Sequence, residues 1–245
     1  MYNDFAYSYD SLMRDVDYTK RAEYLASLFC RYDRMPTLML DLACGTGEFC
    51  NQFASKGVSV IGVDISYDML SIAREKSAQQ GNDVLYLCQD AAELDLYGTV
   101  DGAICCLDSL NHITDYNAFC KAIERVSLFL EKDRLFIFDV NTVYKHREVL
   151  GNNTFVIDTE DVYCVWQNEF NDKDNTVNIN LDFFTPDDDA YIRTNEEFCE
   201  RAYTNQEIET ALKKAGLKIE AILDDMSLDA PSEEAERIIY VTRKV

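Results

Sequence analysis

Between residues 37 and 141, short apolar runs alternate with amphipathic helical patterns, and this alternation restricts the fold more than any other feature. Strands that are apolar on both faces need helices on both faces, which is the arrangement of a parallel sheet. The alternation therefore predicts an α/β fold with a largely parallel sheet. The five predicted strands cover residues 37–42, 58–64, 83–90, 100–109 and 134–141.

Between about residues 143 and 202, the pattern changes to that of antiparallel strands with one solvent-exposed face. Apolar side chains alternate with polar ones in 162–170 and again in 177–183, and the turn-forming sequence NDKDN joins the two runs. This segment is predicted to be a β-rich insertion. After it, Thr204 and Glu207 form a capping-box pattern that predicts the start of a helix. Two strand-like runs, LKIEAILDD and RIIYVTRKV, end the chain, and the short acidic link between them suits an antiparallel return.

The net charge of −22 limits the partners that the chain can bind. A nucleic-acid-binding protein needs a basic surface to displace counterions from phosphates, and an anionic membrane surface attracts basic proteins. We therefore expect neither partner. The segment 158–200, with thirteen acids against two bases, is predicted to be a solvated face, or else an entrance that attracts cationic substrates. No apolar run approaches the ~20 residues of a transmembrane helix, and the N-terminal sequence lacks the parts of a signal peptide, so we expect a cytoplasmic protein.

The nine cysteines are scattered and form no Cys-x-x-Cys pair, and the chain has only two histidines. A zinc site is therefore not expected. Cysteines such as Cys88, Cys105 and Cys106 stand in apolar runs, which predicts buried, reduced thiols.

Acidic residues follow the first three predicted strands, at the carboxyl ends where parallel sheets bind ligands. Asp41 precedes a turn with Gly45 and Gly47, Asp64 ends the second strand and Asp90 ends the third. The Gly-x-Gly turn allows a ligand to approach the backbone closely. A cationic, hydroxyl-rich ligand such as S-adenosylmethionine gives all three acids a partner, whereas a pyrophosphate would be repelled by Asp41. Each acid also has a local interpretation, as a helix cap for Asp41 and as turn residues for the other two.

Three motifs in register resemble those of the class I S-adenosylmethionine-dependent methyltransferases. They are DLACGTGEF at 41–49, VIGVDISYDML at 60–70 and LCQDAAEL at 87–94. The resemblance covers roughly residues 35–140 and 204–245, and the chain is similar to small-molecule members such as the aminosugar and glycine N-methyltransferases. It implies S-adenosyl-L-methionine as cofactor, S-adenosyl-L-homocysteine as product and a small-molecule acceptor. We expect a monomer or a homodimer.

The resemblance also implies a Rossmann-like sheet of seven strands, mostly parallel, with an antiparallel last strand. Residues 1–142 and 203–245 would form the cofactor-binding domain, with residues 1–34 as a helical cover in which a tyrosine-rich arm lies over the cofactor. Residues 143–202 would be a β-rich insertion that encloses the acceptor.

The family pattern, carried onto this sequence position by position, implies a set of cofactor contacts. Asp41 and the backbone of the glycine turn would hold the methionine part, Asp64 the ribose, and Asp90 with Ala91 the adenine edge. Ala43 stands where many members have a third glycine, and its small side chain is expected to have little effect. The full set is Asp41, Ala43, Gly45, Gly47, Asp64, Ile65, Met69, Asp90, Ala91, Leu107 and Tyr18.

Methyl transfer needs alignment and exclusion of water more than it needs a protein base. His112, just past the fourth strand, is on the ligand side of the predicted sheet and is similarly placed to a histidine in sugar N-methyltransferases. It is the candidate base, with a packing or helix-start role as the alternative. Tyr9 is the candidate catalytic tyrosine among the fifteen in the chain. His146 is predicted to be a surface residue and Trp166 a core residue of the insertion.

These patterns together predict methylation of a small molecule, with an amine nitrogen favoured over a hydroxyl oxygen, and without a metal. Three alternatives stay open. The first is O-methylation, for which Asp108, Asp139 and Asn141 are candidate Mg²⁺ ligands. The second is a nicotinamide-dependent oxidoreductase, which is disfavoured because Cys50 occupies the place of the third fingerprint glycine and because a dinucleotide leaves Asp90 without a partner. The third is a cofactor-binding module without catalysis.

Overall fold

A seven-stranded sheet forms the centre of the molecule in a computed structural model that describes residues 13–159 and 161–245. Its strands, numbered in chain order, are β1 (Leu38–Leu42), β2 (Ser59–Asp64), β3 (Val84–Cys88), β4 (Gly102–Cys105), β5 (Leu135–Asn141), β10 (Leu217–Asp224) and β11 (Arg237–Lys244). The strand order is β10-β11-β5-β4-β1-β2-β3. β1 to β5 are parallel, and β11 is antiparallel to both of its neighbours. The prediction of a mostly parallel sheet with an antiparallel last strand is confirmed.

Helices cover both faces of this sheet, which explains why its strands are apolar on both faces. They are α1 (Tyr18–Tyr32), α2 (Glu48–Ala54), α3 (Tyr67–Gln80), α4 (Tyr116–Phe129) and α5 (Asn205–Lys214). Along β5, Phe136 packs in the cluster that contains α4 and α5, whereas Ile137 packs in the cluster that contains α1, α2 and α3. The predicted capping box of Thr204 and Glu207 begins α5. Within the described ranges, no helix combines the length and the apolar character that a bilayer crossing needs.

A separate antiparallel sheet of four strands, here the insertion sheet, follows β5. In spatial order its strands are β6 (Thr154–Asp158), β7 (Tyr163–Asn171), β8 (Thr176–Asp187) and β9 (Ala190–Arg201). The hairpin predicted from the two alternating runs is β7–β8, in which Trp166 pairs with Leu181. The alternation did not single out β9, because polar residues fill most of that strand. The insertion sheet packs through its apolar face on Met69 and Ile72 of α3 and on Leu150.

The nine cysteines are free thiols, and four of them depart from the expected burial, of which Cys44 and Cys199 are half-buried. Cys105 and Cys106 are buried as predicted, but Cys30 and Cys88 are exposed. Cys88 ends β3, and β3 is an edge strand of the seven-stranded sheet, so its side chains meet solvent more readily than those of the central strands.

Candidate active site

The turn after β1 has left-handed backbone at three positions, and its two glycines serve different purposes. Gly45 has φ +52°, and a Cβ there would meet no atom within 4 Å, so this side of the turn is open. Gly47 has φ +77° and is the N-cap of α2, but a Cβ there would collide with the Tyr86 hydroxyl. Packing therefore requires Gly47, and of the two glycines Gly45 leaves room for a ligand. Ala43 adopts the same conformation at φ +56°, at a cost of roughly 1–2 kcal/mol for a residue with a side chain.

Asp41 is a buried acid beneath this turn. It is 1% exposed, and the Cys50 thiol donates a hydrogen bond to Asp41 Oδ2 at 3.1 Å. Burial raises the pKa of Asp41 to about 7, because the charged carboxylate loses its hydration. The interpretation of Asp41 as a helix cap is wrong, since α2 has Gly47 as its N-cap and no side-chain cap.

Asp64, at the end of β2, joins the first two loops of the large sheet. Its Oδ2 accepts a hydrogen bond from the Gly45 N–H at 2.9 Å, and its Oδ1 accepts one from the Ser66 N–H at 2.8 Å. Burial raises the pKa of Asp64, while these two hydrogen bonds oppose the shift. The contact with Ser66 confirms the turn role, and the contact with Gly45 adds a second role that ties the glycine turn to the start of α3.

The other predicted cofactor residues lie at more open or more distant positions. Asp90 is exposed and accepts a hydrogen bond from the Ala92 N–H at 2.8 Å, which confirms its turn role. Ala91 packs against the core cluster on the α4 and α5 side of the sheet. Ile65 is 61% exposed at the end of β2. Met69 is buried in the cluster beneath the insertion sheet.

Five of the predicted residues line one small pocket beside the glycine turn, here called the cofactor pocket. They are Tyr18, Asp41, Ala43, Gly45 and Leu107. Glu48, Phe49 and Ser109 also line it; Glu48 and Phe49 end the first motif but were not among the predicted contacts, and Ser109 lies outside the three motifs. The rings of Tyr18 and Phe49 meet edge to face with centroids 5.4 Å apart, so α1 provides one wall. Tyr9 lies outside the described residues.

The turn after β4 has two consecutive residues with left-handed backbone. Leu107 has φ +56° and Asp108 has φ +54°. Their N–H groups both point at Asp139, donating to its Oδ2 at 2.8 Å and its Oδ1 at 2.7 Å. The carboxylate of β5 thereby offsets the strain of the turn and fixes the position of the Leu107 side chain.

Arg237 binds the same pair of acids from the start of β11. Its Nη2 donates to Asp108 Oδ1 at 2.6 Å and its Nη1 to Asp139 Oδ1 at 2.5 Å, and the group is largely buried. Burial raises the pKa of Asp108, but the positive charges of Arg237, Lys145 and His112 outweigh it and lower the pKa to about 2. Asp108 therefore stays ionised, and the turn is held by a buried ionic cluster.

A second cavity of about 300 Å³, here the acceptor cavity, lies between the carboxyl edge of the large sheet and the insertion sheet. Leu107 lines both this cavity and the cofactor pocket, so the two adjoin at this residue. The polar lining residues are Asp108, His112, Asn141, Lys145, Glu200 and Arg237. The apolar lining residues from the insertion sheet are Ile157, Trp166, Ile179, Leu181 and Phe198.

Trp166, predicted to be a core residue of the insertion, packs against the hydrophobic cluster of the insertion sheet and also lines the acceptor cavity. Its indole N–H donates to Asn168 Oδ1 at 2.6 Å, and its ring lies edge to face with Phe155 at a centroid distance of 5.6 Å. These contacts fix the orientation of the indole, which therefore forms a rigid aromatic wall.

Glu200 is a buried carboxylate in the polar part of the cavity, and no sequence pattern distinguishes it from the other twelve acids of the segment 158–200. Its Oε1 lies 3.6 Å from His112 Nε2, and its Oε2 lies 3.3 Å from His146 Nε2. Asn141 Nδ2 donates to Oε2 at 3.4 Å. The His112 ring packs against Phe198 with centroids 5.2 Å apart. The predicted base is thus held between an aromatic ring and a buried carboxylate.

The prediction that His146 is a surface residue is wrong, because its side chain is fully buried. His146 is the second residue of a π-helical turn, Lys145–Leu150, and such turns often occur at functional sites. Lys145 in the same turn lines the acceptor cavity, and Leu150 joins the cluster of the insertion sheet. The turn therefore directs three side chains into the space between the two sheets.

Asp108, His112 and Glu200 place their potential ligand atoms within 4.8 Å of one another, which raises the question of a metal ion. The Arg237 guanidinium, 2.6 Å from Asp108, already provides the positive charge at this point. Asp139, a candidate in the Mg²⁺ alternative, is likewise bound by Arg237. A divalent cation would have to displace the guanidinium or bind beside it, and both are unfavourable.

Known proteins share both the sequence and the fold of this chain. The family profile described as a methyltransferase domain matches residues 39–127. A Bacillus subtilis (strain 168) protein named as a methyltransferase, YqeM, is 31% identical over 245 residues, which cover 100% of this chain and 97% of that protein. The crystal structure of an S-adenosylmethionine-dependent methyltransferase from Clostridium acetobutylicum has a TM-score of 0.90 and 38% identity, over 99% of this chain and 98% of that one. The chain belongs to the class I S-adenosylmethionine-dependent methyltransferases.

S-adenosylmethionine is accordingly the cofactor of this methyltransferase. The structure of an amino pentose methyltransferase from Micromonospora echinaspora, solved with S-adenosylmethionine bound, has the same fold, with a TM-score of 0.79 and 18% identity over 97% of this chain and 96% of that one. The described residues fit a cationic cofactor, because the buried Asp41 has a neutral thiol as its side-chain donor and gains from a positive charge nearby. A pyrophosphate in the same pocket would be repelled, so the oxidoreductase alternative has no support here.

Proposed function

We propose that this methyltransferase, which methylates a small molecule, transfers the methyl group to the nitrogen of an amine bound in the acceptor cavity. One observation carries the proposal. Leu107 lines both the cofactor pocket and the acceptor cavity, so the two adjoin at this residue, and His112 and the buried carboxylate of Glu200 also line the acceptor cavity. A nitrogen nucleophile in the cavity therefore has a proton acceptor and a negative charge beside it.

The cofactor lies across the carboxyl ends of β1, β2 and β3 in this proposal. Asp41 faces its cationic amino-acid end, Asp64 takes the ribose hydroxyls, and Asp90 with Ala91 takes the adenine edge. The support is positional, because the three acids end or follow three neighbouring strands of one parallel sheet. Ile65, exposed next to Asp64, offers an apolar surface to the adenine ring.

The domain division follows the two sheets. Residues 1–142 and 203–245 form the cofactor-binding domain, of which residues 1–34 are the cover, and residues 143–202 enclose the acceptor. This division is supported by the insertion sheet, which supplies the apolar wall of the acceptor cavity, and by Tyr18 of α1, which lines the cofactor pocket.

When bound, the cofactor supplies a methyl group on an electrophilic sulfonium. His112 accepts the proton that the acceptor nitrogen loses, a role worth about 10²–10⁴ in rate. Glu200, 3.6 Å from Nε2, favours the tautomer with its hydrogen on Nε2, which leaves Nδ1 as the basic atom. Glu200 thus acts as a positioning residue that also stabilises the imidazolium. The catalytic role of Tyr9 stays a prediction.

Local charge favours nitrogen over oxygen as the attacking atom. Asp108, Asp139 and Glu200 face Lys145 and Arg237 around the polar part of the cavity, which leaves a net negative charge while His112 is neutral. An ammonium acceptor is attracted to this site, whereas the phenolate needed for O-methylation is repelled. The amino pentose methyltransferase with the same fold is named for an amine-bearing substrate, which agrees with this preference.

Two measurements test the proposal together. We expect calorimetric titration to show binding of S-adenosylhomocysteine and none of NADH. We also expect a methyl-transfer screen over amines, aminosugars and phenols, read by mass spectrometry, to give products from amines. Failure of every amine while phenols react would reverse the assignment to nitrogen. Binding of S-adenosylhomocysteine with no transfer to any compound would favour a non-catalytic module.

The first mutational prediction concerns the proton acceptor. We expect His112→Gln to lower kcat by about 10²-fold or more and to leave the affinity for S-adenosylhomocysteine unchanged. Glu200→Gln is expected to lower kcat by about 10-fold, because the base loses its orienting charge. In the double variant the two effects should not add, since Glu200 acts through His112. The matched control is Glu197→Gln, an exposed residue of the same strand, which should leave kcat at the wild-type value. Additive losses would show that Glu200 does not act through His112.

The second mutational prediction concerns the ribose contact. We expect Asp64→Asn to weaken the binding of S-adenosylhomocysteine by at least about 10-fold, roughly 1.4 kcal/mol, because the amide keeps one acceptor oxygen but loses the charge. Calorimetry measures the affinity, and thermal unfolding shows whether the loops remain in place. Asp83→Asn, at an exposed position before β3, is the control and should bind normally. Unchanged affinity in the Asp64 variant would remove the ribose assignment.

A further inference from the structure

We propose that the acceptor is an amphipathic amine with an apolar, ring-sized body and no phosphate, rather than a sugar or a nucleotide-linked sugar. This inference rests on the proposed function, because it specifies the compound whose nitrogen is methylated. The amine nitrogen lies at the polar half of the acceptor cavity, and the body lies against the insertion sheet.

The two halves of the acceptor cavity come from different parts of the chain. Polar side chains come from the loops after β4 and β5 and from the start of β11, with Glu200 as the one polar contribution of the insertion sheet among the described lining residues. The five other lining residues of that sheet are apolar, from Ile157 on β6 to Phe198 on β9. A sugar would place its hydroxyls against this apolar wall and leave them without hydrogen-bond partners, which is costly.

Two aromatic rings shape the apolar half. Trp166 is fixed by its hydrogen bond to Asn168 and by its contact with Phe155. Phe198 is packed against the ring of His112, next to the reacting end. Rings held in this way favour a flat or apolar body, because they lose little freedom when a ligand packs on them.

The charges around the cavity disfavour a phosphate. Arg237 is already bound to Asp108 and Asp139, and the Lys145 ammonium donates to Asn141 Oδ1 at 3.1 Å while facing the Asp108 charge. The segment 158–200 around the cavity has thirteen acids and two bases, and one of these bases, Arg193, pairs with an aspartate of the adjacent strand. A pyrophosphate would therefore be repelled at the polar half and at the insertion.

The cavity contains the one tryptophan of the chain, so its fluorescence reports occupancy without any need for turnover. With S-adenosylhomocysteine present, we expect 2-phenylethylamine to change the emission of Trp166 in a saturable manner. Glucosamine and glucosamine 1-phosphate are expected to bind at least about 10-fold more weakly, because they bury no apolar ring on the wall. A competent methyl transfer to 2-phenylethylamine should follow with the cofactor itself.

A pair of neighbouring variants tests the apolar wall. Ile157 lines the cavity, whereas Val156, the residue before it on β6, is 54% exposed on the other face. Ile157→Thr keeps the β-branched shape and is expected to weaken the binding of 2-phenylethylamine by about 5-fold through lost apolar contact. Val156→Thr should bind it as the wild type does.

The outcomes separate this inference from the proposed function. If glucosamine binds more tightly than 2-phenylethylamine and is methylated, the acceptor class is wrong and nitrogen methylation stands. The inference is also wrong if 2-phenylethylamine gives no fluorescence change in the presence of S-adenosylhomocysteine. The same holds if both β6 variants weaken the binding of 2-phenylethylamine equally. If S-adenosylhomocysteine itself does not bind, the proposed function fails first.

Discussion

Arg237→Met should destabilise the fold by about 3–5 kcal/mol, the largest loss that we expect from a single substitution. The guanidinium lies between two buried carboxylates, Asp108 and Asp139, and removing it leaves both charges without compensation. The folded-state pKa of Asp108, about 2, is below the value of about 3.9 expected in the unfolded chain. The stabilisation is therefore fully present above pH 4 and is lost as the pH falls toward 2, so the variant and the wild type should converge there.

Urea unfolding at pH 7, 4 and 3 measures this effect. Arg193→Met is the matched control, because Arg193 also binds an aspartate, Asp182, but does so at the surface. We expect the control to lose at most about 1 kcal/mol. A loss of that small size for Arg237→Met would mean that the buried ionic cluster does not hold the turn after β4.

Asp41→Asn should have the opposite effect on stability from Arg237→Met, raising the free energy of unfolding at pH 8 by about 2 kcal/mol. Burial raises the pKa of Asp41 to about 7, about three units above the unfolded value, so ionising it in the fold costs about 4 kcal/mol. The variant avoids this cost, but its buried amide lacks hydrogen-bond partners, which offsets about 2 kcal/mol of the stability gained. Because the folded-state pKa of Asp41 is raised, the contribution of Asp41 to the stability of the wild type is most favourable below pH 4 and is lost as the pH rises toward 7. The gain should therefore disappear near pH 5.

The same variant should bind S-adenosylhomocysteine at least about 10-fold more weakly, because the cationic end of the ligand loses its carboxylate. Asp101→Asn is the control for stability. Asp101 is also buried, but it accepts hydrogen bonds from the N–H groups of Thr37 and Leu38 and from Arg34. Burial raises the pKa of Asp101, but these hydrogen bonds outweigh the effect of burial, and the pKa is lowered. Its substitution should destabilise the protein. Destabilisation of the same size by Asp41→Asn would show that Asp41 stabilises the fold rather than serving the ligand.

The large sheet was predictable because strands that are buried on both faces consist of short runs of consecutive apolar residues. All seven residues of β5 are buried, and the first four, Leu135 to Phe138, form the continuous apolar run that is typical of a central parallel strand. The insertion sheet was predictable in part, since β7 and β8 have one solvent-exposed face, so apolar and polar residues alternate along them. β9 does not alternate clearly, because its inner face ends in the charged residue Glu200. Glu200 is buried in the fold, but in the sequence it cannot be told apart from the exposed acids around it.

The candidate site divides in the same way. The glycine turn and its acids belong to short motifs, and the sequence alone selected Asp41, Gly45 and Leu107. Arg237 was not selected, because its partners are 98 and 129 residues away along the chain and its own neighbourhood resembles any strand end. His146 was misplaced for a related reason, since a π-helical turn cannot be read from helical periodicity.

The origin of the two halves of the acceptor cavity has an evolutionary consequence. In the proposed site, the large sheet and its ionic cluster fix the reacting groups, while most of the apolar lining of the acceptor cavity lies on four strands of a single contiguous segment. Under the proposed function, we expect substitutions on the inner face of those strands to change which compound is accepted and to leave the methyl-transfer chemistry intact. A new acceptor specificity would then need changes in one contiguous stretch of the gene and none in the residues proposed to hold the cofactor.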